Sequence, residues 1–136
     1  MRPSFLPTLA FTLLIAACRH PADAEAPLVG PVWIAERIGD MPALAGAEVT
    51  LTFDTEGRSG GKAGCNTYGA GYTQDGSKLA FEAPFSTRMF CSPDALMAQE
   101  QAYLDLLGRV TGYQTQGDKL QLNAADGKTI VFHKQP

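Results

Sequence analysis

"AEVTLTFDTEGRSGGKAGCNTYGAGYTQ", Ala47 to Gln74, is the stretch on which the fold turns. Val49, Leu51 and Phe53 alternate with Thr50 and Thr52, the two-residue period of a strand with one buried face. "DTEG" reads as a hairpin turn, and "RSGGKAG" brings the chain back. "NTYGAGYTQ" sets Tyr68 and Tyr72 among glycines, which predicts a sharply bent strand passing close to another backbone.

Working outward, "VWIAERI" is a first strand, ended by "GDMPALAG". After the turn "DGS" comes "KLAFEA", with Leu79 and Phe81 on one face. "VTGYQTQ", "KLQLNA" and "KTIVFHK" are three more strands, divided by "GD" and "ADG". Such short strand–turn units predict a meander that curls into an open barrel or a strongly bent sheet. One helix interrupts it, at about 92–107. Ser92 is its expected N-cap, Pro93 its first residue, Asp94 sits at its positive end, and Gly108 closes it. Leu96, Tyr103, Leu104, Leu106 and Leu107 form the face that packs on the sheet. The fold class is α+β: a curved antiparallel sheet with one helix against it.

Glu100 falls inside that apolar face. An ionisable group there needs a partner, or its charged form is costly. Either it reaches a base or a backbone N–H at the rim, or it is a buried carboxylate with a raised pKa. Arg88 and Lys62 are the candidate bases, because both lie beside cysteines. Glu100→Leu is expected to leave a folded domain and Glu100→Ala to destabilise it.

The chain has 136 residues, 45% apolar and 18% charged, which fits one domain with a packed core. The formal charge is -3 and no two of the eleven Lys and Arg are adjacent, which argues against a nucleic-acid partner. Residues 1–17, "MRPSFLPTLAFTLLIAA", read as a signal peptide whose apolar run is too short for a membrane span. "Leu14-Ile15-Ala16-Ala17-Cys18" resembles the lipobox of bacterial lipoproteins, which makes Cys18 the lipidated first residue after cleavage. Residues 18–30 are then a Pro- and Ala-rich tether and 31–134 the domain. Arg19, where an aspartate would signal retention in the inner membrane, places the expected lipoprotein in the outer membrane of a Gram-negative cell, facing the periplasm.

Trp33, "TLTFDTEGRSGGKAGCNTYGAGY", "STRMFC", the helix with Glu100 and "YLDLL", and a closing "GDKLQLNAADGKTIVF" together resemble the META domain, the HslJ-like family. That resemblance spans about residues 31–133. It implies a small α+β domain and a general link to stress response and drug tolerance, with no enzymatic activity to carry over.

The motifs support little chemistry. A P-loop would need a glycine where Glu56 stands and Ser or Thr where Ala63 follows Lys62, on a strand-to-helix turn. A thiol nucleophile at Cys65 or Cys91 would need a base; His133 with Asn66 or Asp118 completes a set on paper, with no diagnostic spacing. Two Cys and one His without paired spacing make a poor metal set, and no cofactor is implied. With Cys18 lipidated, Cys65 and Cys91 are the two thiols left in a translocated protein, where a disulfide is expected. Asn66 is expected to hydrogen-bond locally.

What remains is binding. Tyr68, Tyr72, Arg88, Met89 and Phe90 form the candidate surface, since Tyr and Arg give large contact area with a polar handle. The competing reading puts Met89 and Phe90 in the core and Tyr68 against Trp33. The expected function is a monomeric, lipid-anchored, non-catalytic module that binds an envelope protein or a small ligand. A folding or assembly helper for outer-membrane components is the alternative, ahead of a thiol-based enzyme.

Overall fold

A computed structural model describes residues 27–136; the expected signal peptide and Cys18 lie outside the described residues. Strand β1 (Trp33–Ile38) is followed by a two-residue β2 (Met41–Pro42), then β3 (Thr50–Phe53), β4 (Arg58–Lys62) and β5 (Thr67–Asp75). Next come β6 (Lys78–Ser86), helix α1 (Asp94–Leu107), β7 (Val110–Gln116), β8 (Lys119–Ala124) and β9 (Thr129–Lys134). The alternating segments of the sequence therefore all became strands, and the turns between them took glycines with positive φ, such as Gly57 and Gly76.

All pairings are antiparallel, in the order β1-β3-β4-β5-β6-β7-β8-β9, with β2 attached beside β1. The expected open barrel is in fact closed. Strand β9 pairs back onto β1 from Trp33 opposite Lys134 to Ile38 opposite Ile130. Closure removes the two free edges that an open meander would leave to pair with other chains. Between β6 and β7 the ladder is a single pair, Lys78 opposite Gly112.

Because neighbouring strands alternate in direction, β1 begins at one end of the barrel and β6 finishes at the other. The hairpin turns β3–β4, β5–β6 and β7–β8 share the end where β1 begins. Helix α1 caps the opposite end. It buries Glu100, Tyr103, Leu106 and Leu107, while Leu96 and Leu104 of the predicted face are only half-buried. The Tyr103 ring meets Phe132 and Tyr68 edge-on, with centroids 6.4 and 5.4 Å away. Inside lie Val49, Leu51 and Phe53, as their alternation predicts, with Trp33, Leu79, Leu120, Leu122, Ile130 and Phe132. Each fully buried Leu or Phe side chain contributes about 1.5–3 kcal/mol of transfer free energy.

Two boundaries differ from expectation. The packed domain reaches back to Leu28, inside the expected tether: this residue is buried, and its backbone carbonyl accepts the Trp33 Nε1–H at 3.2 Å. The helix N-cap is Pro93, not Ser92, with no side-chain capping bond.

The glycines of β4 permit a close crossing. A Cβ on Gly61 would lie 2.3 Å from the Thr50 carbonyl oxygen, a rigid backbone atom. We expect Gly61→Ala to cost about 2 kcal/mol by forcing β4 away from β3, read as a lowered midpoint in urea unfolding with unchanged slope.

Candidate functional site

Residues 87–93 carry the chain from the top of β6 into α1 and hold three of the five predicted binding residues. Two devices fasten this segment. One is covalent: Cys65 and Cys91 form a disulfide across 26 residues, with Cα atoms 5.8 Å apart. The other is polar and centres on Asn66. Its Oδ1 accepts from Thr87 Oγ1 at 2.9 Å and from the Met89 N–H at 2.7 Å. Its Nδ2 donates to the Met89 carbonyl at 3.0 Å and to Glu100 Oε1. A buried amide with both donors and both acceptor sites used has no capacity left over.

Glu100 supplies the far side of this cage. Its Oε2 accepts the backbone N–H groups of Cys65 at 3.1 Å and Asn66 at 2.7 Å. These two amides lie between the end of β4 and the start of β5, where no ladder partner serves them. Glu100 is therefore buried and partnered by N–H donors. Neither Arg88 nor Lys62 forms an ion pair with it among the described residues, and both are exposed.

Fixed in this way, the segment holds its apolar side chains in solvent. Met89 is 57% exposed and Phe90 77%, so neither is core, and Arg88 stands exposed between Thr87 and Met89. Phe85, which the sequence did not single out, joins them at 71% exposure. A register shift between Gly69 opposite Phe85 and Gly71 opposite Glu82, with Ala83 at φ 41°, turns β6 so that Phe85 leaves the face of Leu79 and Phe81. Its ring lies over Gly69, where a Cβ would come within 2.8 Å of it.

The two tyrosines do not belong to this surface. Tyr68, Ala70 and Tyr72 share the inner side of β5, as residues two apart on a strand do. Tyr68 is core. Its hydroxyl donates to the Thr50 carbonyl at 2.8 Å and meets the Tyr103 hydroxyl at 2.6 Å. Burial pushes both phenols well above their ordinary ionisation range. Tyr72 is half-buried toward the other end of β5, edge-on to Phe53 at 4.9 Å and hydrogen-bonded to the Asp54 carbonyl. His133 lies near the end of β9, beside Glu36, and is not brought to the cysteines.

The sequence also missed the reach of Asn66. Its side-chain bonds run to residues 21 to 34 positions away, and only its backbone carbonyl bonds locally, accepting the Ala63 N–H at 2.8 Å. The available signal was its place directly after a half-cystine that the chain must bring to "STRMFC".

A closed eight-stranded antiparallel barrel, capped by one helix and stapled beside that cap, defines a class of small α+β domain. The META domain family model matches residues 26–136. The chain belongs to the META domain family. It is similar to a protein from Burkholderia xenovorans solved by NMR, at 30% identity and TM-score 0.64, over 86% of this chain and 97% of that one. A second NMR structure, 18% identical over 76% of this chain and 87% of its own, shares the fold with TM-score 0.60. No curated protein matches the chain.

Proposed function

We propose that the protein is a non-catalytic binding module whose contact surface is Phe85, Arg88, Met89 and Phe90, held to the cell envelope by lipid on Cys18. The observation that carries this reading is the pairing of exposure with rigidity. Met89 and Phe90 stand in solvent on a segment held by a disulfide and by a saturated hydrogen-bond cage, and Phe85 stands exposed near the end of β6 just before it. Exposed apolar groups cost solubility, and a rigid presentation lowers the entropy lost on binding. The disulfide between Cys65 and Cys91 weighs against the thiol-based enzyme, which would need one of them as a free thiol.

Orientation supports an envelope partner. The chain enters the barrel at the end where β1 begins, whereas the exposed segment follows the far end of β6. A domain anchored through its N-terminus would turn Phe90 away from its own membrane. The outer membrane, facing the periplasm, is the location we favour, with envelope stress response or drug tolerance as the setting. A projecting apolar loop also suits the assembly-helper reading, in which the partner is an outer-membrane component.

A photo-crosslinking residue placed at Phe90 in growing cells is expected to yield a defined adduct. Met89→Ser with Phe90→Ser should abolish binding of that partner while changing stability by no more than about 0.5 kcal/mol, since neither side chain is buried. Adducts formed equally well from Thr55, at the opposite end, would refute the assignment.

A further inference from the structure

A second apolar surface lies on the other side of the helix cap. Ile38, Met41, Pro42 and Leu44 form one wall, and Ala95, Ala98 and Ala102 of α1 form the other, around a cavity of about 250 Å³. Met41 is 68% exposed and Leu44 39%, although both are large apolar residues at a β-turn and loop that could have carried polar ones. Gln99 makes the walls rigid. Its Oε1 accepts the Leu44 N–H at 2.6 Å and its Nε2 donates to the Ala47 carbonyl at 3.2 Å, so the loop cannot drift from the helix.

The alanines let another backbone approach α1 closely, and the charges beside them say what sort. At 100° per residue, Asp94 and Asp105 lie along the outer edge of the stripe with Ala98 between them. Eleven residues separate them, about 16 Å along the axis. Both are exposed, and neither has an ion-pair partner among the described residues. The nearby Arg109 guanidinium is engaged by Asp126 and by the Asp105 backbone carbonyl, not by the Asp105 carboxylate. A second copy of the chain fits poorly, because antiparallel pairing of α1 about Ala98–Ala102 would set Asp94 against the partner's Asp105. An anionic lipid surface would meet the same carboxylates. The complement is a cationic, apolar ridge.

We propose that this groove is a docking site for an amphipathic helix of a partner protein, with apolar side chains between Met41 and the alanines and two cationic residues about three turns apart facing Asp94 and Asp105. The site stands apart from the Phe85–Phe90 surface, and either can fail without the other.

The test uses the full-length chain, isotope-labelled for NMR, and two stapled helical peptides of leucine and alanine. One carries two lysines three turns apart and the other carries glutamates there. We expect the lysine peptide to bind at least tenfold more tightly, with amide shifts clustered at Met41, Leu44, Ala95, Ala98 and Ala102. Asp94→Lys with Asp105→Lys should reverse the preference, and Ala98→Arg should weaken binding at least tenfold while the spectrum stays folded. Equal binding of both peptides by the wild-type chain would overturn the proposal. So would shifts confined to the Phe85–Phe90 segment, concentration-dependent dimerisation through α1, or binding of anionic vesicles at these same residues in place of the peptide.

Discussion

Alanine at both Cys65 and Cys91 should lower the free energy of unfolding by about 3.5 kcal/mol, the chain-entropy value for a closed loop of this length. Against a total of about 5–15 kcal/mol for a typical domain, that is a large share. The loss should arise in the unfolded chain, which regains the freedom of a 26-residue loop, more than in the native fold. Asn66 still grips Thr87 and Met89 from the other side, so the barrel should persist with unchanged far-ultraviolet circular dichroism. Urea titration of the oxidised protein against the double variant measures the difference. A loss below about 1 kcal/mol would mean that loop closure contributes little here and that the hydrogen-bond cage alone fixes the segment.

The second large effect is at Glu100. Glu100→Ala leaves the Cys65 and Asn66 N–H groups and one Asn66 side-chain N–H without an acceptor, at a site buried around Asn66 and Glu100 and part-buried at Cys65. Each orphaned buried donor costs about 1–3 kcal/mol, less where relaxation admits water, so a loss of about 3 kcal/mol is expected. At about 4–8 °C per kcal/mol for a domain of this size, Tm should fall by at least about 12 °C. Glu100→Gln keeps one acceptor oxygen and should lose about 1 kcal/mol. Glu100→Leu, expected from the helix pattern to be tolerated, should be as damaging as alanine, because its partners are donors that a hydrocarbon cannot satisfy. Scanning calorimetry of the three variants separates these cases. Equal Tm for Gln and Ala would mean that the acceptor oxygens contribute nothing.

These predictions also mark where sequence reading stops. A two-residue period shows which side of "AEVTLTF" is buried, and the same rule carried "KLQLNA" and "KTIVFHK" to their observed strands. The rule fails at Phe85. Its parity matches Leu79 and Phe81, and only the slip against Gly69 and Gly71 turns it outward. Tyr68 fails in the opposite sense. Tyrosine suits an interface, but here its hydroxyl is satisfied inside by Thr50 and Tyr103, so the ring can be buried. The groove beside α1 was equally hidden, since Met41 and Leu44 sit in a stretch that reads only as a turn.

By itself, the sequence pointed to the eight barrel strands and the helix, to the pairing of the two cysteines and to the oddity of Glu100, but not to the short β2. Each rests on local periodicity, turn chemistry or arithmetic over residue types, none of which requires knowing what lies across the barrel. Only the tertiary structure decided that β9 closes onto β1, that Glu100 answers backbone N–H groups 34 and 35 positions away, and which aromatic side chains face water. Those outcomes depend on the register between strands and on the meeting of distant segments, where a slip of one residue reverses a side chain and a donor finds its acceptor only after the chain has closed.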